Sequence, residues 1–295
     1  MRRWIAVMAA LCMGFLMGMP AAWAERDTVV VASVNYTEEL IFGHILKELV
    51  QNRTDYKVEL KEGLGSEIVS YQAMAAGEID ACLEYTGTVY GAILGLPNDE
   101  SVDMYAVCRE RLRENDGLEC LDLIGFNNTY CMAMKREDAE KYGIRKISDL
   151  IGLGPKFVFA PSFAFMERED GLKKLLRDYE GIDFAEITPL EGSLKYVSAM
   201  SGQVDIVLAF STDGLLQKYD MVVLEDDRNS MFHYDAFVMA RADALERFPG
   251  LADALNCLAG SIPDEEMSRL NYLVDVEQYS PEEVARDFLK ERGLI

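Results

Sequence analysis

Apolar positions along this chain recur in an alternating order of strand and helix. Thr28 to Ser33 is a β-branched run and reads as a strand. Asn35-Tyr36-Thr37-Glu38-Glu39 then offers capping residues and early carboxylates, ahead of Leu40, Ile41, Ile45, Leu46 and Leu49 at amphipathic-helix spacing. Tyr56 to Leu60 alternates like a strand, and Gly63-Leu64-Gly65-Ser66 turns into a helix over 67–76 before a strand at 79–83. Val102 to Glu114 is helix-like. Ile124 to Met134 is extended, with a polar interruption at Asn127-Asn128-Thr129. A second series predicts strands at 157–160 and 186–188, helices at 167–179 and 193–200, and strands at 204–208 and 221–224. Phe237 to Ala240 is a last strand, and Pro281 to Arg292 is an amphipathic helix. Repeated β-α-β order predicts an α/β fold of two lobes, each a mostly parallel sheet flanked by helices. The expected division is 25–127 and 233–295 for the first lobe and 128–232 for the second, with crossings near Asn128 and Tyr234.

One phrase occurs nearly twice. Ala73 to Thr88 (AMAAGEIDACLEYTGT) returns as Ala199 to Gly214 (AMSGQVDIVLAFSTDG). Each copy ends a helix at Gly, continues through Ile or Val and Asp, and delivers an aromatic five residues after the Asp: Tyr85 and Phe210. The spacing is too wide for a solenoid. It predicts one aromatic per lobe at the carboxyl end of a strand, where open α/β sheets bind ligands.

Residues 1–24 read as a secretory leader, with a basic start at Arg2 and Arg3, an apolar stretch from Ile5 to Met19, and a small-residue cleavage site ending at Ala24. The apolar stretch is short for a bilayer span, so a soluble, extracytoplasmic (periplasmic) protein is expected. Both tryptophans, Trp4 and Trp23, fall in this leader. A net charge of -22 argues against nucleic acid or anionic lipid as partner. Beyond Cys12 the cysteines are Cys82, Cys108, Cys120, Cys131 and Cys257; Cys108 and Cys120 are the most local candidate pair, and buried structural thiols are the other reading. His44 and His233 are the only histidines, and no C-x-x-C occurs, so neither a metal site nor a cofactor is expected.

Enzyme signatures are absent: no G-x-S-x-G, phosphate loop, G-x-G-x-x-G after a strand, or H-E-x-x-H. What remains is aromatics at strand ends and crossings: Tyr85, Tyr130, Phe210 and Tyr234. Together they suit a cation too alkylated to form hydrogen bonds, such as a quaternary ammonium. Glu84-Tyr85-Thr86-Gly87-Thr88, Asn128-Thr129-Tyr130, Ser211-Thr212-Asp213-Gly214 and Asn271-Tyr272-Leu273-Val274-Asp275 resemble the osmoprotectant-binding proteins of ABC importers. The resemblance implies a type II periplasmic-binding-protein fold that closes on glycine betaine, choline, carnitine or a similar solute. It implies a cage of Tyr85, Tyr130 and Tyr234, with Phe210 in a place where Tyr is usual. It implies polar contacts from Thr88 and Asn128, and a carboxylate contact from Arg168. Val34 stands where relatives can carry Lys, and Glu39 where Gln is common, which favours a cation; Arg168 favours a zwitterion. The expected partners are a small ligand and separate permease and ATPase chains, with the receptor a monomer. A sensory receptor of the same fold, or a binder of another solute such as an amino acid, is the alternative.

Overall fold

The computed structural model describes residues 27–97, 102–167 and 171–295. Among the described residues ten strands build two sheets. The first contains β1 (Thr28–Val34), β2 (Lys57–Leu64), β3 (Ala81–Tyr85) and β4 (Leu118–Asn127). The second contains β5 (Tyr130–Lys135), β6 (Val158–Ala160), β7 (Glu186–Ile187), β8 (Ile206–Phe210) and β9 (Met221–Val223). The chain then returns, and β10 (Asp235–Arg241) joins the first sheet.

The strand orders are β2-β1-β3-β10-β4 and β7-β6-β8-β5-β9. β10 is antiparallel to both neighbours, as is β5, so four strands of each sheet share one direction. The inverted strand in each lobe is the one entered from a crossing.

Why the phrase repeats is visible at its Gly and Asp. Gly77 and Gly202 hold φ of 76° and 74°, the left-handed conformation that ends a helix cheaply only in glycine. The next amides then turn back, Glu78 N to Ala73 O and Gln203 N to Ser198 O. Asp80 pins β3 to β1 by accepting Val30 N–H at 2.9 Å, while its own N–H donates to Val30 O. Asp205 treats Val158 identically, at 2.8 Å, and so pins β8 to β6. Asp80 is fully buried, and Arg247 pairs with it at 3.0 Å. The repeat is a device for ending a helix and locking the next strand in register.

Helix Thr37–Arg53 lies across the first sheet and buries Ile41, Phe42, Ile45, Leu46 and Leu49. Its packing partners include helices Leu251–Asn256, Asp264–Asp275 and Pro281–Glu291, all supplied by the returning chain. In the second lobe Met132, Phe159, Phe165, Leu175, Ile206 and Leu208 form the main cluster. Two expectations change. The helix expected over 167–179 covers Leu172–Asp178, and a separate short helix, Phe163–Glu167, precedes it. Gly171 enters the later helix with φ -98° and ψ -129°, a backbone conformation that glycine tolerates. The five cysteines from Cys82 onward are free thiols; Cys108 and Cys120 sit in one apolar cluster, and Cys108 Sγ faces Thr86 O at 3.5 Å. Among the described residues no helix is long and apolar enough to cross a membrane.

The lobes meet at two crossings tied to one another. Asn128 N–H donates to Tyr234 O at 3.1 Å, Tyr234 N–H donates to Asn127 Oδ1 at 2.6 Å, and Thr129 Oγ1 donates to Phe232 O. Away from the crossings, helix Gly214–Lys218 of the second lobe packs on helix Asp264–Asp275. A Cβ on Gly214 would lie 2.5 Å from Tyr272 N, so only glycine allows the two backbones this close.

Candidate functional site

A cavity of about 490 Å³ opens between the lobes at the carboxyl ends of β3 and β8. Five aromatics line it: Tyr36, Tyr85, Tyr130, Phe210 and Tyr234. Four carboxylates share the wall, Glu38, Glu67, Asp213 and Asp275, and no Lys, Arg or His does among the described residues.

Register places the aromatics. Tyr130 and Phe210 are direct cross-strand partners, and their rings stack at 4.9 Å and 24°. In the first lobe the residue opposite Tyr85 is Ala236, which leaves the Tyr85 ring without a stacking partner across the strand. Its hydroxyl donates instead to Glu38 Oε1 at 2.6 Å. Tyr234 lies over Gly87, where an added Cβ would stand 2.7 Å from the ring.

Glu38 organises the polar side. Its Oε1 also accepts Asn128 Nδ2 at 2.9 Å, its Oε2 accepts Asn271 Nδ2 at 3.0 Å, and Thr212 hydrogen-bonds to it as well. Asn271 donates in addition to Thr212 O at 2.9 Å. Burial raises the Glu38 pKa, and these four hydrogen bonds oppose the rise. Its lone pairs are taken up by the protein, so Glu38 is a positioning residue rather than a bare charge offered to a ligand.

Six of the eight expected site residues line this cavity: Tyr85, Thr88, Asn128, Tyr130, Phe210 and Tyr234. Arg168 lies outside the described residues. Glu39 is a correction. It is fully buried beside the cavity and does not line it; its Oε2 accepts Val34 N–H at 3.3 Å. Consecutive residues on a helix point about 100° apart, and the one aimed at the cleft is Glu38. Tyr36 and Thr37 were read as part of a capping segment, yet Tyr36 occupies the cap position without a side-chain cap, and Thr37 Oγ1 donates to Asp275 Oδ1 at 2.6 Å. Asn271, on helix Asp264–Asp275, joins the site through Glu38 and Thr212.

Behind the wall, Glu39 and Glu84 are both fully buried, and each keeps one oxygen without a partner. Burial pushes Glu84 up to about 8, and burial with the neighbouring Glu84 charge raises Glu39. The folded protein therefore holds a proton on Glu84 that the unfolded chain releases above its ordinary value of 4.5. Stability from this group is full below that value and is lost as pH rises towards 8, by about 1.4 kcal/mol per pH unit. Urea unfolding of the ligand-free protein at pH 5, 6.5 and 8 should show this decline, and Glu84→Gln should flatten it. An equal slope in both proteins would count against a protonated Glu84.

The family model described as the substrate binding domain of ABC-type glycine betaine transport system matches residues 27–291. The chain belongs to this family. Among its relatives is the carnitine transport binding protein OpuCC of Listeria monocytogenes, 33% identical over 276 residues, 92% of this chain and 88% of that one. A glycine-betaine-binding protein of Pseudomonas aeruginosa is 33% identical over 311 residues, 100% of this chain and 96% of that one. A crystal structure described as a glycine betaine/carnitine/choline ABC transporter superposes with a TM-score of 0.86 at 28% identity, over 90% of this chain and 99% of that one. As an ABC substrate-binding protein of the type II periplasmic-binding fold, this family member carries its cavity where the two lobes face each other.

Proposed function

We propose that this receptor captures a quaternary ammonium solute between its lobes and presents it to a separate permease and ATPase. The observation that carries this reading is the cavity wall, five aromatics and four carboxylates without a cationic side chain among the described residues. A tetra-alkylated nitrogen has no N–H to donate, so aromatic faces and an acidic surround are what can recognise it. Each desolvated cation–π contact contributes on the order of 2 kcal/mol. Four such contacts come to roughly the 8 kcal/mol of micromolar binding, before association costs are subtracted. The names of the Listeria and Pseudomonas relatives, for carnitine and glycine betaine, support the same class. In this reading the lobes formed by 25–127 with 233–295 and by 128–232 close on the ligand. The same reading gives Arg168 a share in holding a ligand carboxylate, and the protein works as a monomer outside the cytoplasm after loss of residues 1–24. Calorimetric titration of residues 25–295 with choline, glycine betaine, carnitine and an amino-acid panel tests the reading. Micromolar or tighter binding of at least one quaternary ammonium is expected. Binding confined to an ordinary amino acid would overturn it.

A further inference from the structure

A second cavity of about 370 Å³ lies in the second lobe and shares Tyr130, Phe210 and Asp213 with the first. The stacked Tyr130–Phe210 pair thus stands between two compartments, and Phe210, 39% exposed, forms part of both walls. The two compartments differ in charge. The first has no cation among the described residues lining it, whereas the second contains Lys195.

Lys195 is placed as a receptor for an anion. Its side chain is only 12% exposed, and its Nζ lies 6.0 Å from the Phe210 ring centroid and 5.1 Å from that of Tyr196. The carboxylate paired with it, Asp213, keeps Oδ2 at 3.6 Å, beyond hydrogen-bond length. That same oxygen already accepts Tyr196 OH at 2.6 Å and Phe210 N–H at 3.2 Å. Glu191, the other carboxylate of the compartment, accepts Phe163 N–H at 2.7 Å. Among the described residues the Lys195 ammonium therefore donates no hydrogen bond, although it has three protons to give. A largely desolvated ammonium left in this state gains from any acceptor that reaches it.

We propose that Lys195 determines specificity, by receiving the anionic end of an extended zwitterion whose quaternary ammonium occupies the aromatic cavity. The inference rests on the quaternary ammonium reading above and narrows it. A ligand carrying only positive charge would place like charges around the one Phe210 ring, which costs affinity. A ligand with a carboxylate at its far end turns that repulsion into a salt bridge. Length follows from the partition. Phe210 has Tyr130 stacked on it and Lys195 Nζ 6.0 Å from its centroid, so the ligand chain must pass the edge of the ring to bring its anion to Lys195. A carboxylate on a chain of three methylenes extends further from its nitrogen than one on a single methylene, as in glycine betaine, and so comes nearer to Lys195.

The test is calorimetry with three probes that share a trimethylammonium head: choline, glycine betaine and γ-butyrobetaine. The protein with native Lys195 should bind γ-butyrobetaine at least about tenfold more tightly than choline. Lys195→Met should lose about tenfold or more for γ-butyrobetaine and hold choline within about twofold or tighter. Lys195→Arg should recover most of the loss, and the ligand-free melting temperatures of all three proteins should agree. If the native protein binds choline while Lys195→Met weakens both ligands equally, or neither, the Lys195 assignment is overturned and the aromatic cavity stands. Failure of the native protein to bind any of the three overturns both.

Discussion

Replacing Tyr234 with Ala is expected to weaken ligand binding about a hundredfold while leaving the ligand-free melting temperature within a few degrees of the starting protein. The affinity term has two parts. One cation–π face lost from a desolvated site removes on the order of 2 kcal/mol. The apolar contact of the ring adds about 1 kcal/mol more, and the sum is near two orders of magnitude in Kd. The stability term is small because Tyr234 is only half-buried and stands at a crossing. It packs at the margin of the first-lobe core, and one of its contacts is the edge of Phe232, with centroids 5.5 Å apart at 71°, an interaction of about 0.5–1.5 kcal/mol. At about 2–4 °C per kcal/mol for a chain of this size, that shift is modest. Tyr234→Phe should keep most of the affinity, since the ring rather than the hydroxyl faces the cation. A drop of more than about 10 °C in the Ala variant would instead make Tyr234 a core residue and remove it from the cage.

Glu38→Ala is expected to do the opposite, lowering stability and affinity together. It leaves the Tyr85 hydroxyl, Asn128, Asn271 and Thr212 without their shared acceptor in a buried setting. An orphaned buried donor costs about 1–3 kcal/mol, and partial repair by water leaves a loss on the order of 3–5 kcal/mol. Thermal unfolding should therefore fall by roughly 10 °C. Binding should fall with it, because all four donors, Tyr85, Asn128, Thr212 and Asn271, line the cavity themselves. Glu38→Gln is the sharper probe. Glu38 receives donors on both oxygens, and Gln keeps one oxygen while turning an NH₂ toward another donor. It should therefore show an intermediate loss. Unchanged melting and Kd in the Ala variant would show that Glu38 organises nothing.

Much of this was legible because the sequence encodes it locally. Gly77 and Gly202 end helices, Asp80 and Asp205 lock strands, and Tyr85 and Phe210 follow at a fixed distance, so the repeat could be read before any contact was known. The interruption at Asn127-Asn128-Thr129 within an extended stretch was likewise visible in the sequence. Glu38 was missed for a physical reason: Glu38 and Glu39 are adjacent acids at a helix start, and helical phase decides which one faces the cleft. Asn271 was missed because its role depends on helix Asp264–Asp275 meeting Thr212 and Glu38, more than fifty residues away in each case. The later start at Leu172 was hidden because the polar run Glu167-Arg168-Glu169-Asp170 supplies the carboxylates that a first helical turn favours.

The pairing of the two crossings has a mechanical consequence. Because Asn128 and Tyr234 are bonded backbone to backbone, the two connecting segments act as one axle rather than two independent springs. Points on an axle hardly move when the bodies around it turn. Tyr234 and Asn128 therefore hold nearly the same relation to each other whether the lobes are apart or together, and Phe210, whose neighbour Ser211 is bonded to Asn127 and Thr129, stays close to them, while the Gly214–Tyr272 contact lies further out. A ligand would meet the stationary part of the site first and would be enclosed by the travelling part afterwards. Residues near the axle would then govern arrival, and the Gly214–Tyr272 contact would govern escape.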